Sequence, residues 1–329
     1  MADPILEIED LRTYYHDGKT VLKAVDGVSL KLERGSVLGL VGESGCGKST
    51  VAMSVLNLIP HPGSIESGRI LFNGRDILKM SNEELRNVRG RDISMIFQSP
   101  VEGLNPLLSV GDQVQEIITA HTGMNKYDAQ RQALELLASM GLPDPRRIAG
   151  RYPFQLSGGM AQRVMIAIAM ALKPAILIAD EPTSALDMTV QAQILQELRR
   201  LQDDGVSILL ITHDLGVIAQ MADRVVVMYA GRVAEEGSPE DLFYRPRHPY
   251  SLALLESLPR MDSRVPRLRQ VGGRPPDMTK LTPQCAFVPR CSKALNDCRN
   301  LDSPPLHEIE PGHWVACYNP VYQPDLNEN

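Results

Sequence analysis

Hydrophobic and polar positions near the start of the chain alternate. The alternation runs through residues 4–36 and returns at 69–72. Such a period is typical of strands with one buried face. Turn signals stand between the alternating runs, Asp17-Gly18 in the first segment and Asn73-Gly74 after the second. The pattern therefore predicts a small antiparallel sheet.

Further along, short apolar runs alternate with segments of helical period. The runs at 37–41, 93–97, 175–180 and 207–212 consist almost entirely of apolar residues. Such sequences are typical of strands in a parallel sheet that is covered on both faces. Helical spacing fills much of 110–172 and 190–201, and a hairpin is expected at 224–236. The chain thus predicts an α/β fold with a helical insertion.

The run at 37–41 leads into a glycine-rich segment, Gly-Glu-Ser-Gly-Cys-Gly-Lys-Ser-Thr, at 42–50. It matches G-x-x-x-x-G-K-[ST], in which backbone N–H groups and a helix N-terminus hold phosphates. A strand before the loop and a helix after it are what this function needs. The sequence predicts a nucleotide site formed by Gly42, Ser44, Gly45, Cys46, Gly47, Lys48, Ser49 and Thr50.

A carboxylate pair, Asp180-Glu181, ends another apolar run. Magnesium that bridges phosphates takes hard oxygen ligands, so we expect Ser49 to bind it directly and Asp180 to hold the ion or its waters. Glu181 is then placed to polarise an attacking water. Together the loop and the carboxylates predict ATP hydrolysis with Mg²⁺.

Composition limits the class of protein. The 329 residues are 43% hydrophobic with a formal net charge of −6, which gives no general attraction to nucleic acid. No run is apolar enough to span a membrane, and the start lacks the pattern of an export signal, so the cytoplasm is expected. The arginine-rich stretch 260–274 contains Pro266, Gly272 and Gly273 and is predicted to be a solvated linker.

Four of the five cysteines, Cys285, Cys291, Cys298 and Cys317, lie near the C-terminus with gaps of five, six and eighteen residues. Clustered thiols in a cytoplasmic protein favour a metal over disulfides. The spacing lacks the two-residue gap of zinc ribbons, which favours an iron–sulfur cluster and leaves zinc or free thiols as alternatives. Cys46, at a helix N-terminus, is expected to favour the thiolate.

Leu156-Ser-Gly-Gly-Met160 opens a second helical segment. Ser-Gly-Gly at a helix start is an anion site of the same physical type as the first. By itself it is also a common way to begin a helix.

The ordered set of motifs resembles the ATP-binding-cassette (ABC) ATPases over roughly residues 5–260. The resemblance implies a P-loop NTPase core of RecA-like fold, with an antiparallel β subdomain and a helical subdomain at about 100–172. It also implies a nucleotide-binding domain at 1–260 and a cysteine-rich extension at 261–329.

The resemblance further implies roles for single residues. Ser157, Gly158 and Gly159 look like the signature that acts in trans on ATP held by a partner. Gln98 looks like a residue that senses magnesium and the attacking water, and Ser184 and Asp187 like a loop between the two sites. His213 looks like the switch histidine at the terminal phosphate, and Tyr15, or less well Tyr14, like the aromatic that stacks on adenine.

Two segments look typical of the oligopeptide and dipeptide importer branch: 160–167, where Met160 replaces a common glutamine, and Arg247-His-Pro-Tyr250. Without the resemblance, the second is a plain helix start after proline. Members with four C-terminal cysteines can hold a [4Fe–4S] cluster there, which makes that group the expected ligand.

The resemblance implies an ATPase subunit of an importer for peptides or similar solutes, at the cytoplasmic face of the membrane. Its partners would be a second ABC ATPase, in a heterodimer, two permeases that contact 100–116, and a solute-binding protein. ABC ATPases of DNA repair or translation carry coiled-coil insertions or two cassettes, which this sequence lacks. A scaffold that only binds nucleotide is disfavoured because every catalytic position is filled.

Overall fold

A computed structural model describes residues 3–100, 103–184, 186–257 and 271–322. The predicted linker lies mostly outside these residues, as do Ala185 and the pair 101–102. The strands of the described chain are β1 Pro4–Asp17, β2 Thr20–Glu33, β3 Val37–Val41, β4 Gly63–Phe72, β5 Arg75–Asp76, β6 Ile93–Ile96, β7 Ile176–Asp180, β8 Ser207–Ile211, β9 Arg224–Tyr229, β10 Arg232–Gly237, β11 His307–Glu310 and β12 His313–Val315. The α-helices are α1 Lys48–Val55, α2 Asn82–Val88, α3 Val110–Thr122, α4 Lys126–Ser139, α5 Pro145–Ala149, α6 Gly158–Met170, α7 Met188–Asp203, α8 Leu215–Met221, α9 Pro239–Tyr244, α10 Pro249–Glu256 and α11 Asn296–Asn300.

The described chain divides into two compact units. The first contains Leu32–Val37 and Lys79–Ile211 with the start of the chain. The second contains Leu6–Lys31, Leu38–Leu78 and the residues from Thr212 onward. Each unit gathers segments that are distant in sequence.

The first unit holds parallel strands and helices. Strands β6, β7 and β8 are neighbours in that order, and all pair in parallel. Every residue of the three strands is buried, which explains their continuous apolar sequences. Helices α3, α4, α5 and α6 supply the predicted helical segment.

The second unit contains two sheets. One has the order β2-β1-β4-β5 and confirms the predicted antiparallel sheet, with β1 and β4 antiparallel. In the other, β3 pairs in parallel with β9, and β9, β10, β12 and β11 continue it antiparallel. The C-terminal strands β11 and β12 thereby extend the sheet that contains β3.

Side chains cap several helices at positions that fit sequence preference. Ser157 begins α6 and accepts a hydrogen bond from the Met160 N–H at 3.4 Å. Asp187 begins α7 and accepts from Val190 at 3.0 Å. Each satisfies a backbone donor that the helix leaves open. Both residues are members of predicted functional motifs.

Candidate functional site

The glycine-rich segment forms a tight loop between β3 and α1. Gly42 and Gly47 have φ of 151° and 106°. An added Cβ would lie 2.3 Å from the Met228 carbonyl oxygen at Gly42 and 2.1 Å from the Ala24 carbonyl oxygen at Gly47. Only glycine fits such approaches without moving backbone. The loop's shape therefore depends on these two residues.

Lys48 is turned into this loop. Its side chain is only 6% exposed, and its Nζ donates to the carbonyl oxygens of Gly42 at 2.7 Å and Glu43 at 3.0 Å. A buried ammonium enclosed by a loop, next to the N-terminus of α1, is arranged to receive a polyphosphate. Ser44, Gly45 and Ser49 are exposed beside it.

The two candidate adenine-stacking tyrosines differ in their surroundings. Tyr14 donates its hydroxyl to Asp26 at 2.6 Å, and burial raises the pKa of Tyr14 above its ordinary value. Tyr15 packs against Gly63, where an added Cβ would lie 2.7 Å from its ring. Tyr14 is thus engaged in an ion-pair network with Asp26, which favours Tyr15 as the stacking residue.

His213 also belongs to the second unit. It follows Thr212, whose N–H donates to the Leu40 carbonyl of β3 at 3.3 Å. Asp214 then begins α8 by accepting from Gly216 at 2.8 Å. The exposed His213 side chain therefore stands in a short connection beside the strand that leads into the phosphate loop.

Gln98, Asp180 and Glu181 belong to the first unit. Residue pairing of Ile96 with Ala179 places the ends of β6 and β7 side by side, and carboxyl ends of parallel strands meet at one sheet edge. Asp180 is 3% exposed. The three predicted residues therefore share one edge.

Glu181 has a left-handed backbone, with φ of 52°. This conformation is uncommon outside glycine and is often found at functional positions. Its N–H donates to the Ile211 carbonyl at 2.8 Å, which holds the turn at the end of β7. Sequence alone did not indicate this strain.

The Ser-Gly-Gly segment lies in a surface groove of about 410 Å³. Ser157, Gly158 and Gly159 line the groove together with Asp187. An added Cβ on Gly159 would lie 2.9 Å from Val190, whereas one on Gly158 would meet no atom closer than 3.9 Å. Ser184 donates its N–H to the Glu181 carbonyl at 3.1 Å, so the carboxylate turn continues directly into this loop.

The predicted iron–sulfur cluster is wrong. The four C-terminal cysteines do line one cavity, but its volume is about 20 Å³, room for a single water and not for four irons and four sulfides. Burial raises the pKa of Cys285, Cys291 and Cys317, the last to about 11. Among the residues that the structure describes, no group of three or more His, Cys, Asp or Glu is arranged to hold a metal ion. Zinc, the alternative for these cysteines, is likewise without support.

Cys46 also departs from expectation. It is 5% exposed, and burial raises the pKa of its thiol despite the nearby Lys48. Desolvation of the thiolate outweighs the helix N-terminus and the ammonium. Cys46 is therefore a buried neutral thiol that packs inside the loop.

Sequence reasoning missed three residues that hold this loop. The first, Glu43, lies within the loop. The hydroxyl oxygen of Tyr250 accepts a hydrogen bond from the Glu43 N–H at 2.8 Å, and Arg290 forms an ion pair with the Glu43 carboxylate at 2.7 Å. The Arg-His-Pro-Tyr segment drew attention to Tyr250 but not to its contact. Arg290 lies more than two hundred residues away along the chain, and no local pattern connects it to the loop.

The sequence is similar to known families and to individual known proteins. The ABC transporter family profile matches residues 25–184, and the profile described as the oligopeptide/dipeptide transporter C-terminal region matches 234–298. The dipeptide transport ATP-binding protein DppD of Bacillus subtilis is 46% identical, over 90% of this chain and 89% of its own. The oligopeptide transport ATP-binding protein OppD of Salmonella typhimurium is 44% identical, over 97% of this chain and 95% of its own.

This chain belongs to the ABC transporter ATPase family. A solved ABC cassette, a dimer in a post-hydrolysis state bound to ADP and Pi, is 30% identical with a TM-score of 0.65 and covers 71% of this chain and 98% of that cassette. The predicted P-loop NTPase fold is confirmed. As an ABC ATPase, the chain hydrolyses ATP, which enzymes of this kind use with Mg²⁺. Within the described residues, no helix is both long and apolar enough to cross a membrane.

Proposed function

We propose that this ABC ATPase powers the uptake of peptides or similar solutes through separate membrane permeases. The observation that carries the proposal is the similarity to peptide transport ATP-binding proteins along nearly the whole chain, 97% of it for OppD. The match of 234–298 to an oligopeptide/dipeptide transporter region supports the same branch. We further propose a nucleotide-binding domain at 1–260 and an extension at 261–329.

The phosphate loop is the proposed ATP-binding element. Its glycine-dependent backbone and the buried Lys48 would suit a polyphosphate, because loops of this motif supply backbone donors and the lysine supplies a positive charge. Tyr15 would stack on the adenine ring. Catalysis would then consist mainly of positioning and charge stabilisation.

We propose that three residues hold an Mg²⁺ ion. Asp180 presents a nearly buried carboxylate at the end of β7, and hard oxygen donors of this kind suit the ion. Ser49 and Gln98 would complete the protein's share of the ligands. When bound, the ion neutralises charge on the phosphates.

Glu181 is the proposed residue that orients and polarises the attacking water, and His213 the residue that contacts the terminal phosphate. The strained backbone of Glu181 supports its role, since such strain persists where function requires a fixed direction. Lys48 would stabilise charge that develops on the phosphates.

The Ser-Gly-Gly groove is the proposed contact for ATP held by a second ATPase subunit. Its exposed helix start offers backbone donors and a partial positive charge. Ser184 and Asp187 would connect this contact to the carboxylate turn. We propose a heterodimer with a second ABC ATPase, two permeases that receive 100–116, and an extracytoplasmic solute-binding protein, with this chain at the cytoplasmic face.

Co-purification from membranes tests the proposal. The chain should bring down a second ABC ATPase and two membrane proteins, and the complex should hydrolyse ATP faster when a solute-binding protein loaded with peptide is added. The Lys48→Ala complex should assemble but lose turnover. A complex without membrane proteins, or one whose turnover ignores every peptide offered, would contradict the transport proposal.

A further inference from the structure

Arg290 of the C-terminal region reaches the phosphate loop. Its two terminal nitrogens contact the two carboxylate oxygens of Glu43, at 2.7 and 2.8 Å. The Arg290 side chain is 3% exposed and that of Glu43 is 23% exposed. A bidentate pair with this little exposure is among the stronger and more directional contacts that proteins form.

Arg290 is itself held rigidly. Its Nε donates to the Gly272 carbonyl at 2.7 Å, and its guanidinium lies over the rings of Tyr229 and Phe287 at 5.8 and 6.0 Å. The hydrogen bonds to Glu43 raise the pKa of Arg290 above its ordinary value. The guanidinium is thus a fixed positive charge that these contacts hold in one orientation.

Glu43 is held at its backbone as well. Its N–H donates to the fully buried Tyr250 hydroxyl at 2.8 Å, and its carbonyl accepts from Lys48 at 3.0 Å. Two of the three attachments, Tyr250 and Arg290, come from residues after β10. The conformation of this loop residue therefore depends on the C-terminal part of the chain.

The charge of Glu43 makes the pairing important for function. A carboxylate within a phosphate-binding loop repels a polyanionic ligand at close range. Arg290 neutralises that charge. Among the described hydrogen bonds, no other cation contacts the Glu43 carboxylate. Without Arg290, a half-buried carboxylate would remain unpaired.

We propose that Arg290 is a positioning residue for nucleotide binding: by pairing with Glu43 it neutralises the carboxylate of the phosphate loop, so the C-terminal region sets the loop's affinity for ATP. The proposal rests on the proposed role of this loop as the ATP site. It gives the C-terminal region a direct part in the ATPase cycle.

Affinity for a fluorescent ATP analogue, measured on the full chain, tests the proposal. Arg290→Met should weaken binding about tenfold, a typical size for coupling between sites. Glu43→Gln should change affinity less than threefold, and the double variant should bind like Glu43→Gln, because it contains no unpaired carboxylate. The exposed Arg299 of the same region gives the matched control, and Arg299→Met should bind like the wild type.

The double variant separates a charge effect from damage to the fold. If Arg290 only stabilised the C-terminal region, the double variant would bind as weakly as Arg290→Met, and the proposal would be overturned. Unchanged affinity in Arg290→Met would overturn it too. If Arg290→Met does not fold, a double variant that binds the analogue more weakly than Glu43→Gln overturns the proposal. If instead Lys48→Ala binds the ATP analogue as tightly as the wild type does, the loop is not the ATP site.

Discussion

At the scale of single residues, the phosphate loop is defined by where its backbone approaches other backbone. Gly42 and Gly47 meet carbonyl oxygens, whereas Gly45 has a similar positive φ with no atom within 4 Å of an added Cβ. Gly45 and Gly47 therefore form a matched pair, in which one glycine is required by conformation alone and the other by conformation and space.

Gly47→Ala should lower the free energy of unfolding by about 3 kcal/mol or more, because the alanine methyl group cannot fit beside the Ala24 carbonyl. Gly45→Ala carries only the cost of a left-handed alanine, about 1 kcal/mol. Midpoints of urea unfolding measure both. Equal midpoints for the two variants would show that the close approach at Gly47 does not exist.

Glu181 permits a second prediction at this scale. Glu181→Gln keeps shape but removes the charge that polarises water, so ATP turnover should fall by about 10²-fold or more while ATP still binds. Size-exclusion chromatography of this chain with its partner ATPase and ATP, without the permeases, should show a stable closed dimer. Exposed Glu135 on α4 supplies the control, Glu135→Gln, and turnover equal to this control would exclude the assigned role.

At the scale of elements, a buried carboxylate joins the C-terminal strands to the rest of the second unit. Strand β12 pairs with β10 through Glu235 and Val315. Glu235, fully buried, accepts from the N–H groups of Arg247 and His248 at 2.6 and 2.8 Å and from His313 at 2.7 Å. This carboxylate thus connects β10, the start of α10 and β12.

His248 makes this junction sensitive to acid. Its Nδ1 accepts from the Tyr250 N–H at 3.0 Å, which needs a neutral ring, and desolvation lowers the pKa of His248 to about 4 from 6.5. The unfolded chain binds this proton below pH 6.5 and the folded chain only below about 4. Stability should therefore fall as pH drops from 6.5 to 4, by about 3 kcal/mol from this group.

Thermal unfolding as a function of pH measures this effect. His248→Asn keeps an acceptor for Tyr250 but has no proton to bind, so its melting midpoint should fall less steeply than that of the wild type over the same pH range. Parallel curves for the two proteins would contradict a buried neutral His248.

The sequence predicted elements better than contacts between distant elements. Strand β7 could be located because its residues form one continuous buried apolar run, and helix α7 because its buried residues recur at helical spacing. The contact of Arg290 with Glu43 could not, because it depends on how the C-terminal region packs. The cysteine spacing led to a wrong prediction of a metal cluster, because spacing cannot show that apolar packing leaves a cavity of only about 20 Å³ between the four thiols.

At the scale of the whole molecule, the motifs are distributed over both compact units, with the phosphate loop in one and Ser157–Gly159 in the other. The proposed role of Ser-Gly-Gly belongs to the assembly, since its groove would receive nucleotide held by a partner. Gly158 tests this role cleanly, because an added Cβ there is in ordinary contact with this chain's own atoms.

Gly158→Ala should leave the melting midpoint and the ATP affinity of the isolated chain unchanged. In the assembled complex it should lower ATP turnover roughly tenfold, because its methyl group occupies the surface that faces the partner's nucleotide. Gly150→Ala, with its nearest atom at 3.7 Å, is the matched control. Full turnover in the Gly158→Ala complex would argue against contact in trans.

The central claim is that ATP hydrolysis by this chain powers solute uptake. Uptake of a labelled oligopeptide into proteoliposomes that contain the purified complex, with ATP enclosed and the solute-binding protein outside, tests it most directly. The wild-type complex should accumulate the peptide, and the Glu181→Gln complex should accumulate none above the level without ATP. Equal accumulation by the two complexes, or none by the wild type for any peptide tested, would contradict the claim.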